Sequence, residues 1–95
     1  MKVVYTDEAL HNLDEILAFI AANYPTVLAA FELRLRAVER RIGRWLNSAT
    51  EVEQRPGVRV VPLLRYPYKI FYQVRADAVE VVYIHHVARS EPWTD

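Results

Sequence analysis

No cysteine occurs among the 95 residues. Disulfides, thiolate ligands and thiol nucleophiles are thereby excluded, which suits a reducing compartment. Glycine is nearly absent, with only Gly43 and Gly57, so no glycine-rich loop can cradle a phosphate. An excess of charge of either sign is also missing: 12 Lys and Arg balance 12 Asp and Glu. A dedicated duplex-DNA binder carries a basic excess, so direct sequence-specific DNA binding by this chain is not expected. No apolar run approaches the roughly 20 residues that a membrane helix needs. The opening Met1-Lys2-Val3-Val4-Tyr5 passes directly into a strand-like pattern, without the layout of a signal peptide. A soluble, cytoplasmic protein is the expectation.

What is present is a chain that is 53% hydrophobic, enough for one core. Its length fits a single domain over residues 1–95. So short a chain buries a modest share of its surface, leaving a thin stability margin that a bound partner would widen.

Lys2–Tyr5 reads as a short strand. Thr6-Asp7-Glu8 reads as a helix start, with a capping hydroxyl followed by two acids at the positive end of the helix dipole. Leu10, Leu13, Ile16, Leu17 and Ile20 then recur at spacings of three and four, one apolar helical stripe. Asn23-Tyr24-Pro25 ends it, and Pro25 opens a second helix. Leu28, Phe31, Leu35, Val38, Ile42 and Trp45 carry that helix to about Leu46 and point Phe31 and Trp45 into the core. Arg34, Arg36, Arg40, Arg41 and Arg44 lie on it as a solvated face or, alternatively, as a site for an acidic partner. Residues 47–57 form a connecting loop.

Three strands follow. Val58–Leu64 contains Pro62, which predicts an edge or a bulge. Tyr68–Arg75 alternates, with Tyr68, Ile70, Tyr72 and Val74 on one face. Val79–Val87 places Val79, Val81, Tyr83 and His85 on one face and Glu80, Val82, Ile84 and His86 on the other. Pairing Val74 with Val79 sets Gln73 against Glu80 and Lys69 against Ile84. The order strand, helix, helix, strand, strand, strand predicts an α+β domain, an antiparallel helical hairpin packed on one face of a mainly antiparallel sheet.

Residues able to carry chemistry are few. His85 and His86 point to opposite faces of a strand and cannot share an ion, so no metal site is expected, nor any cofactor. Asp14 and Glu15 are adjacent on one helix and cannot alone make an acid–base pair. There remains a cluster of Arg59, Lys69, His86, Arg89 and Trp93. Cations beside an aromatic suit RNA phosphate with a stacked base, or an acidic peptide. They suit equally well a tail fixed to the sheet. Exposed Arg and Trp are also frequent binding hot spots.

Two runs carry a family resemblance. Val58-Arg59-Val60-Val61-Pro62-Leu63-Leu64-Arg65-Tyr66-Pro67-Tyr68-Lys69-Ile70-Phe71-Tyr72-Gln73-Val74 resembles two successive strands of the ParE/RelE toxins, and Val81-Val82-Tyr83-Ile84-His85-His86-Val87-Ala88-Arg89 resembles the last strand. The short first strand before an acidic helix start is similar too. The resemblance spans nearly the whole chain and implies the RelE/ParE-like β-α-α-β-β-β fold and a toxin of a type II toxin–antitoxin (plasmid stabilisation) system. RelE-like members cut messenger RNA on the ribosome using basic residues and a C-terminal tyrosine. ParE-like members poison DNA gyrase. Lys69 resembles the RelE arginine of the third strand, but Val60 and Pro62 stand where RelE lysines stand. Val87 falls at or near a further arginine, and Trp93 at or near the tyrosine.

The resemblance therefore implies the ParE branch, a gyrase inhibitor without catalytic residues, with a RelE-like endonuclease as the alternative. The implied partners are DNA gyrase and a ParD-like antitoxin. That antitoxin would have a ribbon-helix-helix N-terminus and a C-terminal segment that wraps the toxin. Arg59, Lys69, His86, Arg89 and Trp93 are the toxic-surface candidates, and Phe71, Val82 and Ile84, expected on the half-solvated sheet face, are the antitoxin-contact candidates.

Overall fold

The structure, a computed structural model, describes residues 1–88. The elements run β1 (Val3–Tyr5), α1 (Asp7–Asn23), a 3-10 turn (Pro25–Val27), α2 (Leu28–Arg44), β2 (Thr50–Glu51), β3 (Val58–Leu63), β4 (Tyr68–Val74) and β5 (Val79–His86). The strands form one sheet in the order β1-β5-β4-β3-β2. β1 runs parallel to β5, and every other pairing is antiparallel. This is the expected α+β architecture, with an added two-residue strand, β2, from the segment read as loop.

Thr6 starts α1 as expected. Its hydroxyl oxygen accepts from the Ala9 amide at 3.1 Å, and the same hydroxyl donates to the Val82 carbonyl at 3.2 Å. One side chain thus caps the helix and ties its start to β5. Proline then opens the short 3-10 turn that leads into α2.

The main core lies between the helices and one face of the sheet. Phe31, Leu35, Val38 and Ile42 of α2 meet Ile70, Tyr72, Val79 and Val81 there. The chain approaches itself closely at Gly43, where a Cβ would come within 2.7 Å of the Met1 carbonyl oxygen. Two helix-face expectations fail. Leu10 lies at 46% exposure, and Ala9 and Asn12 turn inward with the expected Ile16 and Ile20, against which Leu13 and Leu17 pack. Trp45 is not in the core: α2 ends at Arg44, and the indole is 58% exposed with the Arg44 guanidinium 5.3 Å from its centre. Once the helix stops, the three-and-four spacing no longer sets where a side chain points.

The hairpin register holds at its turn, with Val74 opposite Val79 and Gln73 opposite Glu80. Farther along it shifts between Phe71 and Tyr72, so that Tyr72 pairs with Val81 and Phe71 with Tyr83. Val82 is the extra residue of a β-bulge, and beyond it every side chain of β5 changes face. Ile84 consequently lies in the main core, and Lys69 faces His85 instead of Ile84.

The second face is partly covered by the chain itself. Val52, Val58 and Phe71 form a small second core with Val60, Val82 and Tyr83 against it. The 47–57 segment folds over to supply Val52, and Gly57, at φ +89°, makes the left-handed turn back into β3.

Candidate functional site

The face of the sheet turned away from the helices carries the residues with the most chemical character. On β4, the Lys69 ammonium lies 5.4 Å from the centre of the Phe71 ring, within cation–π range. Phe71 stands edge-on to Tyr83 at 6.4 Å and to His85 at 6.3 Å, and Tyr83 and His85 are 5.6 Å apart. The result is a strip of one cation and three rings, anchored by Phe71 at 1% exposure. Toward the hairpin turn, Glu80 accepts from Gln73 at 2.8 Å and pairs with Arg75 at 3.2 Å. The Gln73 hydrogen bond, with help from Arg75, holds the Glu80 carboxyl below the usual carboxylate range.

The predicted cluster does not assemble as one site. Lys69 takes its place on this face. Arg59 pairs with Tyr72 across the sheet and so lies on the helix side. Its guanidinium donates to the Ala49 carbonyl at 2.7 Å and the Asn47 carbonyl at 3.4 Å, clamping the chain between α2 and β2. The bulge turns His86 to the helix side as well. There it meets the Tyr68 ring edge-on at 5.6 Å, and its Nδ1 accepts from the Ala88 amide at 3.1 Å. Arg89 and Trp93 lie outside the described residues.

The residue beside Lys69 is therefore His85, which the strand alternation placed on the opposite face. The adjacent apolar Val81 and Val82 and the doubled histidine were the available signal, since a strict alternation cannot contain them. Of the three antitoxin-contact candidates, Val82 keeps partial exposure on this face. The half-solvated placement is corrected for the other two: Phe71 is buried under Val52 and Val58, and Ile84 is 2% exposed beneath α1.

Burial raises the Tyr68 and Tyr72 hydroxyls above their ordinary pKa, and both stay neutral at physiological pH. The Tyr72 hydroxyl donates to the Leu46 carbonyl at 3.0 Å. Tyr5 is pushed further up, first by burial and then by its bond to Glu39, to which it donates across from β1 to α2. Among the described residues no three His, Asp or Glu groups converge as metal ligands, and no helix is long and apolar enough to cross a membrane. Phe71 and His85 are buried, so Lys69 and Tyr83 are the members of the strip that reach the surface, a cation beside a ring whose chemistry suits negative charge.

A helical hairpin on one face of a five-stranded sheet, with the first strand parallel to the last, is the RelE/ParE-like fold. The family model described as ParE toxin of type II toxin-antitoxin system, parDE, matches residues 3–91. The chain belongs to that family, and it is a toxin of the type II class. A solved structure described as the chromosomal ParDE TA system from P. aeruginosa is similar, with a TM-score of 0.77 and 20% identity over 90% of this chain and 95% of that one. At that identity the likeness speaks for the fold. Among curated proteins, none matches the chain in sequence.

Proposed function

We propose that this ParE-family chain acts in the cytoplasm by inhibiting DNA gyrase and is neutralised by a ParD-like antitoxin. The antitoxin has a ribbon-helix-helix N-terminus and a C-terminal segment that folds over the toxin. One observation carries the reading. At the β3 positions where the RNA-cleaving branch has lysines, this chain has Val60, partly buried against the second core, and Pro62 at the strand's exposed edge. Cutting RNA needs a group to activate the 2′-hydroxyl and cations to stabilise charge on phosphorus, and neither side chain supplies one. The toxin works on this reading by binding and not by catalysis. The second reading, a RelE-like messenger endonuclease, is favoured by the pairing of Lys69 with His85 across the strands.

Induced expression separates the two. The expected result is gyrase-linked DNA breakage and DNA-damage signalling with intact messenger RNA. Codon-specific cleavage by primer extension, abolished by Lys69→Ala, establishes the endonuclease instead.

Lys69, with Arg89 and Trp93 of the tail, is assigned to the toxic surface on this reading. His86 borders it from the far side of the strand, and Arg59 supports the neighbouring loop. Truncation after Ala88 is expected to abolish toxicity while leaving the melting temperature and antitoxin binding unchanged. A melting temperature lowered by more than roughly 8 °C, the equivalent of 1–2 kcal/mol in a domain of this size, would make the tail structural and remove Arg89 and Trp93 from the toxic surface.

A further inference from the structure

A groove of about 470 Å³ runs between α2 and the outer edge of β3, one strand across from the Lys69 strip. Its helix wall is Arg34, Val38 and Arg41. Seven residues separate the two arginines, which is nearly two whole turns, so they share a face about 10 Å apart along the axis. Val38, 7% exposed, lies between them. The opposite wall is the edge of β3, with Pro62 and the 56% exposed Leu64. β2 covers that edge only at Arg59 and Val60. Beyond it the strand is open, and Pro62 offers no N–H there.

The charge of the groove is one-sided. Among the described residues no carboxylate lines it, and neither Arg34 nor Arg41 forms an ion pair with an acid. A guanidinium takes a carboxylate in a bidentate fork, and two of them bracketing an apolar floor select spacing as well as charge. Nucleic acid fits less well, because among the described residues the lining holds no aromatic ring for a base to stack on and the chain as a whole is neutral.

We propose that this groove docks a segment of the antitoxin carrying two carboxylates about 10 Å apart, with an apolar side chain between them set against Val38 and Leu64. The proposal rests on the toxin–antitoxin reading and adds to it the surface and the chemistry of the contact. The missing N–H at Pro62 prevents the segment from adding as a fully bonded strand, so side-chain pairing with Arg34 and Arg41 dominates its affinity.

The test uses the full chain and its cognate ParD-like antitoxin, both purified, with binding followed by calorimetry. The double variant Arg34→Glu/Arg41→Glu is compared with Arg40→Glu, a charge reversal on the same helix at a residue that lines a different groove. The double reversal is expected to weaken antitoxin binding by roughly 100-fold, as for desolvated interfacial charge pairs, and Arg40→Glu by less than about 3-fold, as for a charge outside the contact. Circular dichroism confirms that both variants remain folded. Equal binding by wild type and the double reversal overturns the groove assignment and leaves the toxin–antitoxin reading intact. If the wild-type chain itself does not bind the antitoxin, that reading fails and the groove assignment fails with it. Arginine-dependent binding of a fluorescein-labelled 20-nucleotide RNA or DNA, with antitoxin binding unchanged, assigns the groove to nucleic acid. Arginine-dependent dimerisation in sedimentation assigns it to a second copy of this chain.

Discussion

Replacing Phe31 with alanine is expected to lower the unfolding free energy by about 4 kcal/mol, the middle of the range for a buried phenylalanine. Phe31 is fully buried in the first turn of α2, on its inner face, with the rings of Tyr66 and Tyr68 edge-on to it at 5.2 and 6.0 Å. Truncation removes the transfer free energy of the ring, leaves a cavity that three packed elements cannot close, and forfeits two aromatic contacts. For a domain of this size the melting temperature should fall by roughly 20 °C. Against a total stability of about 5–15 kcal/mol, that takes much of the fold's margin. Phe31→Leu, which keeps most of the volume, should cost about a third as much. A loss below about 1 kcal/mol for Phe31→Ala would mean that the hairpin does not pack on the sheet as described.

The second large effect is expected at Asn12, a buried polar residue in the middle of an apolar helix face. Its Oδ1 accepts from the Ile84 amide at 3.1 Å, and its Nδ2 donates to Glu8 at 3.2 Å. β1 accompanies β5 only as far as Val81. Past that point β5 has no neighbouring strand on its outer side, and α1 takes over the edge. Thr6 serves the Val81 and Val82 carbonyls, and Asn12 serves the Ile84 amide. Asn12→Leu keeps the size but leaves a buried N–H without an acceptor, which costs about 2 kcal/mol. The Ile84 amide should then exchange with solvent at least about tenfold faster, since local protection falls with the lost bond. Unchanged urea stability together with unchanged Ile84 protection would show that the side chain does not hold the edge.

On the proposed reading the Arg34–Arg41 groove takes the antitoxin and the Lys69 strip belongs to the toxic surface. The Lys69 strip lies on the face away from the helices, while the Arg34–Arg41 groove opens at the β3 edge beside α2. An antitoxin long enough to run from the groove across β3 would reach Lys69 without unfolding either core. A segment that orders only on binding suits such a path, because it covers a broad surface at modest affinity per contact.

Much of this protein was legible in the residues alone. The helical hairpin follows from three-and-four spacing in Leu13, Ile16, Ile20, Phe31, Leu35, Val38 and Ile42, and the start of α1 from the cap at Thr6. The Val74–Val79 and Gln73–Glu80 pairs follow from alternation close to a tight turn. These are local rules, acting within one helical turn or one hairpin, where the sequence neighbours are the physical neighbours. Three matters were settled only in three dimensions. The Val82 bulge exchanged His86 for His85 beside Lys69 and drew Ile84 into the core, because the edge satisfied by Thr6 and Asn12 is built from residues some seventy positions away. Trp45 stayed outside because α2 ended one residue before it. The 47–57 segment became a strand and a lid for Phe71 because an exposed ring on the sheet's second face had apolar surface to cover. In each case a distant contact outweighed a local preference, and a one-residue change of register was enough to move a side chain from one face of the sheet to the other.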